Sequence, residues 1–273
     1  MRFTEGRERR DGEAFCLLPA CPVSAAVDNA AMLSLRPLIA ALSFAPALAL
    51  ALPQGGVAWM WDGARLPRPA PAEIAPVVDQ LLFRGTQVLE RPGHPPRGLP
   101  AGMRVTPVVH VEMSVVRRPV DVDAHEALVV DAVVRAARRS TSGWVQLDLE
   151  AHPSQRAFYR RLVRDIRAAL PPAIRLSVTA LAWWCRSAEW LDGLAADEVV
   201  PMFFHMGRDG PAMRAMLLDE PQRLHARCLM EAAGFGLQEP VPDATLPTFR
   251  RTYWFDDRHW RDALPVPTHT LPP

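Results

Sequence analysis

Two carboxylates and an amide occupy every second position of one short segment. In residues 142–154, SGWVQLDLEAHPS, these positions are Gln146, Asp148 and Glu150, and the residues between them are aliphatic. Side chains two residues apart on a strand lie on one face, with their bases about 6.6 Å apart. At that separation one negative charge raises the pKa of the other carboxyl, which keeps it protonated and able to donate a proton. The spacing therefore predicts a catalytic pair, in which one carboxyl acts as general acid and the other either tunes it or steadies an oxocarbenium ion.

A second set of polar and aromatic residues falls on or just after the predicted strands. The segment VVHVE, residues 108–112, repeats the alternation with His110 and Glu112 on one face. Tryptophan rings can stack on sugar rings, although most tryptophans pack protein cores. These residues are compatible with a carbohydrate substrate or ligand, and we predict a polysaccharide. The predicted substrate contacts are Gln146, His205, Trp59, Trp61, Trp183, Trp254, Glu112 and His110.

Three other interpretations of these residues stay open at this point. Asp148 and Glu150 could simply pair with arginines in a polar interior. His110, Glu112, Asp148, Glu150 and His205 could instead bind zinc or a similar ion, as in a metal-dependent hydrolase, but no HExxH or comparable ligand spacing supports this. The third interpretation is a glycan-binding barrel without catalytic activity. Of these alternatives we do not favour the metal site, and we predict neither a metal nor a cofactor.

The composition excludes several classes of enzyme and partner. The chain has 273 residues, a formal charge of +1 and 31 basic residues, all of which are arginine. Without lysine, neither Schiff-base catalysis nor a P-loop is possible. The balanced charge argues against nucleic acid as a partner, and the absence of G-x-S-x-G and G-x-G-x-x-G motifs disfavours serine esterases and nicotinamide enzymes. We expect a monomer.

Strands alternate with helical patterns along most of the chain, which predicts parallel βα units in an α/β fold. Strands are predicted over residues 56–63, 86–90, 104–114, 144–150, 173–181, 198–206 and 248–257. Helices are predicted over 72–83, from a capping box formed by Asp123 and Glu126, from an N-cap at Ser154 to Pro171, around 187–194 and over most of 211–233;. The alternation in 144–150 differs from the continuous apolar strands of an open parallel sheet. It favours a (β/α)8 TIM-like barrel, degenerate in its C-terminal third, with the acidic face inside.

Three segments resemble a known family. GWVQLDLEA, RLSVTALAWWC and EVVPMFFHMG occur in this order. They resemble the bacterial domain-of-unknown-function family 3142, whose members look like exported barrel proteins with no established activity. The resemblance covers residues 57–255 and implies a barrel fold and export rather than a particular reaction.

The same segments are distantly similar to chitinase-like family eighteen glycoside hydrolases. The fourth barrel strand of that family ends in D-x-x-D-x-D-x-E, and its sixth strand carries M-x-Y-D. The likeness implies that Glu150 is the general acid, Asp148 the carboxylate beside it and Met202 the methionine of the second motif. In the relatives, the residues at four other motif positions orient the acetamido group of the substrate, so their replacement argues against a substrate-assisted mechanism. The replacements in this chain are Gly143, Gln146, Phe204 and His205.

An apolar run precedes the predicted barrel. Residues 37–52, PLIAALSFAPALALAL, end in small residues at alternate positions, as in the h-region and cleavage site of a signal peptide;. The run is too short to span a bilayer. We predict a disordered upstream extension over 1–31, a signal peptide over 32–51, and one periplasmic or secreted barrel domain over 52–273 without a stable membrane span. The mature chain keeps only Cys185 and Cys228, which are either a disulfide or two buried thiols;.

Overall fold

Eight parallel strands form a closed ring. The computed structural model describes residues 56–114, 116, 119, 121–239, 249–257 and 260, so the predicted extension over 1–31 and signal peptide over 32–51 lie outside the described residues. The strands are β1 (Gly56–Met60), β2 (Glu73–Arg84), β3 (Gln87–Pro92), β4 (Arg104–Val105), β5 (Val108–Met113), β6 (Trp144–Leu149), β7 (Arg175–Leu181), β8 (Glu198–Met202), β9 (Ala232–Gly236) and β10 (Arg251–Phe255). β1 and β2 pair in parallel, β2 pairs with β5, and each later strand pairs with the next until β10 returns to β1. This ring confirms the predicted (β/α)8 barrel.

The helices are distributed unevenly around the ring. They are α1 (Glu126–Ala137), α2 (Arg156–Ala169), α3 (Ala188–Leu191), α4 (Gly210–Asp219) and α5 (Arg227–Met230). Residues 61–72 and 85–107 contain no helix; instead β3 forms a hairpin with β2, and β4 pairs with the start of β2. Strict βα alternation is therefore lost in the first third of the barrel as well as towards its end. No helix in the described part of the chain is long and apolar enough to cross a membrane.

Alternate residues of the strands serve two separate apolar layers. On β6, Val145, Leu147 and Leu149 are buried in an outer layer together with apolar side chains of α1 and α2. A separate inner layer is built from side chains of β1, β2, β5, β8, β9 and β10. Because successive side chains of a strand point to opposite faces, Gln146 and Asp148 lie inside the barrel. The sequence pattern of this strand thus predicts its orientation correctly.

The segment predicted as a helix over 72–83 is strand β2, so that prediction is wrong. Its apolar residues fit a helical period because both faces of this strand are buried. Ala75 and Val77 belong to the inner layer, and Val78 belongs to the outer layer. A β-bulge after Val77 shifts the alternation by one position;. Periodicity alone cannot distinguish such a continuous apolar run from a buried helix.

Strand β9 is an element that the sequence pattern does not predict. It begins within the segment 211–233, which looks largely helical, and its sequence AAGFG lacks the β-branched residues typical of strands;. Its glycines permit close approach of two rings. A Cβ on Gly234 would lie 2.9 Å from Cε2 of Phe255, and a Cβ on Gly236 would lie 3.1 Å from Cβ of Phe204. The small residues of β9 therefore make room for the aromatic residues that close this side of the barrel.

Two helix starts differ from the predicted caps. His152 caps the turn that leads into α2, since its ring accepts a hydrogen bond from the backbone N–H of Ser154. The predicted N-cap at Ser154 is therefore wrong. Before α1, Asp123 and Glu126 do not form the predicted capping box. Both carboxylates instead pair with Arg161 of α2, and they join the two helices on the outside of the barrel.

One disulfide crosses the outer layer. It joins Cys185, in the turn after β7, to Cys228 of α5, with Cα atoms 6.0 Å apart. Of the two alternatives that the sequence leaves open, the structure has the disulfide rather than two thiols. The bond ties the short helices that follow β7 and β8 to each other.

Candidate active site

Asp148 is held from both sides inside the barrel. It lies on β6 with 6% of its surface exposed. Thr179 of β7 donates a hydrogen bond to Oδ1 of Asp148 over 2.6 Å. Nδ1 of His110, on β5, lies 2.7 Å from Oδ2. The two neighbouring strands therefore fix the position and the plane of this carboxyl group.

The pairing with Asp148 changes the protonation of His110. Burial by itself lowers the pKa of a histidine, but the hydrogen bond that His110 donates to Asp148 and the negative charges of Asp148, Glu112 and Glu150 outweigh this effect, so the pKa of His110 is raised above its ordinary value of 6.5;. The side chain of His110 is 19% exposed. His110 is therefore a buried cation over a wider pH range than a free histidine.

This shift predicts a pH dependence of stability. A raised pKa in the folded state stabilises the protein fully below the unfolded pKa near 6.5, and this stabilisation is lost as the pH rises through the folded pKa;. The free energy of unfolding should therefore decline above pH 6.5 in the wild type and decline less in His110→Gln. Urea denaturation of both proteins between about pH 6 and pH 9 measures this. Parallel pH profiles would contradict it.

Glu150 is the first residue after β6 and lies at the C-terminal mouth of the barrel. It lines a cavity of about 290 Å³ together with Trp183, Met202, Phe204 and His205. Surrounding protein atoms and then the charge of Asp148 raise the pKa of Glu150, and the charges of His110 and His205 partly oppose this rise;. The carboxyl remains open to solvent on the side of the mouth. The predicted acid thus lies where a ligand can reach it.

Arginines pair with interior carboxylates at the other end of the barrel. Arg251 of β10 binds both Glu73 and Glu198, and these two carboxylates are buried. Within the described residues no arginine pairs with Asp148 or Glu150. The interpretation that these two carboxylates simply neutralise interior arginines therefore does not fit the structure, although it applies to the layer below them.

A buried polar layer separates the site from this ion-pair layer. Gln146 is fully buried, accepts a hydrogen bond from Nε1 of Trp59 over 2.9 Å and donates one to Ser177 over 3.0 Å. The ring of Trp59 stacks on Phe255 with centroids 4.8 Å apart. Gln146 and Trp59, both predicted substrate contacts, are buried inside the barrel and do not line the cavity of Glu150. Their contact with a ligand stays a prediction.

The remaining predicted tryptophans divide between the mouth and the core. Trp61 is 37% exposed and contacts His110 edge-on, with centroids 5.0 Å apart. Trp183 is half-buried and lines the cavity of Glu150. Trp254 points to the outer layer, where it packs near Phe235. The structure therefore brings Trp61 and Trp183 to the mouth, while Trp254 lies away from it.

Glu112 follows His110 by two residues on β5 and lies nearer the C-terminal end of this strand. It is exposed at the end of β5 and lines a second cavity of about 230 Å³ with Leu82, Leu89 and Arg91 of the β2–β3 hairpin. His110 lines this cavity too. The hairpin extends beyond the ring and forms one wall of the mouth. One cavity therefore lies beside Glu150, and a second lies beside His110, the partner of Asp148.

His205 is fixed at the rim by residues that follow two other strands. It comes shortly after β8 and has a φ of 50°, which is rare for a residue other than glycine;. Its backbone N–H donates to Oε1 of Glu239 over 2.6 Å, and its Nε2 lies 3.1 Å from Oδ2 of Asp257. Glu239 follows β9, and Asp257 follows β10. Arg214 of α4 in turn binds Glu239 over 2.9 Å.

Three residues of the site are absent from the predicted set. Thr179 could have been found, because it continues the inward-facing alternation of Ser177 on its strand. Asp257 is the last residue of the strand predicted over 248–257, where the sequence favours a solvated turn over a place at the rim. Glu239 lies in the loop after β9. Because the sequence pattern does not predict β9, it does not predict the position of this loop either.

The described residues contain no group of three histidine, cysteine, aspartate or glutamate side chains arranged to hold a metal ion. The residues of the metal-site interpretation are spread over the mouth. His110 is committed to Asp148, and His205 is committed to Asp257. The geometry gives no support to a metal-dependent hydrolase.

Comparison with known proteins supports the fold. No protein-family model matches the chain, and no curated protein sequence is significantly similar to it. Among solved structures, the chain is similar to the "putative Chitinase A from Streptomyces coelicolor", with 13% identity, coverage of 77% of this chain and 97% of the other, and a TM-score of 0.50. It is also similar to the Bacillus cereus spore cortex-lytic enzyme SleL, with 14% identity over 70% of this chain and 53% of the other and a TM-score of 0.41. At 13% identity the likeness to the first of these structures is one of fold alone.

Proposed function

We propose that this chain is a glycoside hydrolase-like protein that cleaves a polysaccharide by carboxylate general acid catalysis. One observation carries the proposal. Glu150 is an accessible carboxyl with a raised pKa, and it lies in a cavity at the C-terminal mouth, two residues after a carboxylate that His110 and Thr179 hold in place. The C-terminal face is where (β/α)8 enzymes carry their active sites.

The two carboxyl groups suit different steps of glycoside cleavage. Protonated Glu150 donates its proton to the glycosidic oxygen while the bond from the anomeric carbon to that oxygen breaks. Asp148 lies deeper, and its fixed negative charge stabilises the positive charge that develops on the sugar ring. A carboxylate whose partners are already in place needs no rearrangement during the reaction, which favours the transition state.

The surroundings of the pair suit a carbohydrate. Trp61 and Trp183 present aromatic surface at the mouth, where sugar rings can stack;. A solved structure with the same fold is described as a "putative Chitinase A". Membership of the domain-of-unknown-function family 3142 belongs to this proposal as well, and it rests on the three ordered segments that include both carboxylates.

We further propose that the protein is exported and processed after Ala51. The apolar run over 37–52 supports this, and so does the Cys185–Cys228 disulfide, because disulfides persist mainly in oxidising compartments;. N-terminal sequencing of the protein from periplasmic and culture fractions of its native host should give Leu52 as the first residue. Recovery of an unprocessed chain from the cytoplasm alone would contradict this proposal.

A screen tests the proposed activity. Purified barrel domain is incubated with cell-wall polymers and exopolysaccharides, and released reducing ends are measured. The proposed function predicts product from at least one polymer. The competing function is a glycan-binding barrel without activity, in which Trp61 and Trp183 at the mouth would bind the sugar. That function is the correct one if the wild type binds a polymer without releasing product and if Asp148→Asn and Glu150→Gln bind it equally well.

A further inference from the structure

His205, at the rim of the barrel, is exposed to solvent, yet its backbone and its ring are both held in place by other residues. The side chain of His205 is 59% exposed, yet two contacts fix the residue: its backbone N–H donates a hydrogen bond to Glu239, and its ring contacts Asp257. Its backbone also has a φ of 50°. His205, Glu239 and Asp257 follow three adjacent barrel strands, β8, β9 and β10. Left-handed backbone at a residue other than glycine persists only where its surroundings determine it, and it is frequent at active sites.

Glu150 and His205 line the same cavity at the C-terminal mouth. Both border the space of about 290 Å³, which can hold a sugar unit with a water molecule. The charge of His205 is among the groups that act on Glu150. Because Nε2 of His205 is committed to Asp257, Nδ1 is the nitrogen left to exchange a proton;. A histidine oriented by a carboxylate is the usual arrangement of a general base.

We propose that His205, oriented by Asp257, is the general base that activates the attacking water. This inference rests on the proposed function and identifies the second catalytic residue of the same site. Nδ1 takes a proton from water, whose oxygen forms a bond to the anomeric carbon. The bond from that carbon to the glycosidic oxygen breaks, and Glu150 gives its proton to the leaving oxygen. Afterwards solvent returns a proton to Glu150 and takes one from His205, so atoms and charges balance.

This mechanism predicts the anomeric configuration of the product and one feature of the substrate. Water attacks from the face opposite the leaving group, so the product has inverted configuration at the anomeric carbon. The nucleophile comes from solvent and not from the substrate. The sugar at the cleaved bond therefore needs no acetamido group.

The experiment separates the roles of base and acid. The first substrate is the polymer identified by the reducing-end screen, and the second is the glycosyl fluoride of its smallest released sugar, whose leaving group needs little protonation. His205→Gln should lose roughly 10²–10⁴-fold in kcat on both substrates. Glu150→Gln should lose as much on the polymer but far less on the fluoride. Added imidazole should restore part of the activity of His205→Ala, which a purely structural role would not allow.

The controls use another exposed histidine paired with a carboxylate. His94 contacts Asp62 at 3.2 Å, and its side chain is 77% exposed. His94→Gln should keep the wild-type rate. Asp257→Asn keeps the shape of the rim and should lower kcat with little change in KM, so it tests the inference even if His205→Gln does not fold. Proton NMR of the first product gives its configuration.

The outcomes distinguish the two proposals. Inverted product together with the losses above supports the inference. Retained configuration, or full activity of His205→Gln on both substrates, overturns the base while leaving Glu150 as the acid. If the wild type releases no product from any polymer, the proposed function fails and the inference fails with it.

Discussion

Glu150→Gln should release reducing ends roughly 10²–10⁴-fold more slowly than the wild type, which is the usual contribution of a positioned general acid. Glutamine has the shape of the protonated acid but cannot donate its proton to a leaving oxygen. The substitution preserves the lining of the cavity beside Trp183 and His205. The loss should therefore fall on kcat, with KM nearly unchanged.

The pH profile gives a second measure of the same role. A general acid works in its protonated form, so the wild-type rate should fall as the pH rises through the raised pKa of Glu150;. The residual activity of Glu150→Gln should lack this decline. Initial rates on the polymer from the screen, measured from about pH 4 to pH 9, show the difference.

The matched control makes the same substitution at a distant exposed carboxylate. Glu220 follows α4 and pairs on the surface with Arg223. Glu220→Gln should leave the rate unchanged, and both variants should have the far-UV circular dichroism of the wild type. Equal product from the wild type and Glu150→Gln would rule out Glu150 as the acid.

The alternation over 144–150 is the part of the sequence that carried most of the correct prediction. A strand with one aliphatic and one polar face fits a closed ring, since the aliphatic face meets helices and the polar face lines an interior that narrows to a mouth. The same pattern places Asp148 inside and Glu150 at the rim. Local periodicity was sufficient here because each face of β6 meets only one kind of environment.

The same rule failed on β2, where both faces are apolar and a bulge after Val77 changes the phase of the alternation. It also failed on β9, where glycine is needed because the rings of Phe204 and Phe255 leave no room for a Cβ, and not because glycine favours strands. These constraints come from residues distant in sequence. Local patterns in a single sequence therefore do not reveal these constraints.

The rim around His205 illustrates why the site was predicted only in part. Its ring partner Asp257 and its backbone partner Glu239 lie on loops that follow different strands. Their convergence depends on the closure of the ring, which brings β8, β9 and β10 side by side. The sequence identifies His205 as a candidate contact, but its role as a base emerges only when the three loops are placed together.

Arg251→Met should lower the free energy of unfolding by about 3–5 kcal/mol, the usual loss when one partner of a buried ion pair is removed. The guanidinium binds Glu73 and Glu198 within the barrel, and without it both carboxylates stay buried with fewer partners. Glu73 keeps its contact with Arg104, whereas the partners that Glu198 keeps among the described residues are the neutral hydroxyls of Ser177 and Tyr253. Glu198 should therefore account for most of the loss.

The pH dependence of this loss identifies Glu198 as its source. Burial raises the pKa of Glu198 even though Arg251, Ser177 and Tyr253 oppose the rise. A carboxyl with a raised folded pKa destabilises the fold as the pH rises through that pKa, and removal of Arg251 raises it further. The deficit of Arg251→Met in urea denaturation should thus shrink from about pH 7 to pH 5. It should also shrink when Glu73→Gln and Glu198→Gln are added, because neutral side chains no longer need the guanidinium.

The control is Arg139→Met, at an exposed position after α1, which should lower the free energy of unfolding little at either pH. A deficit that is independent of pH and of the added glutamines would assign the effect of Arg251 to its packing on Trp144, where the guanidinium carbon lies 4.7 Å from the ring centroid.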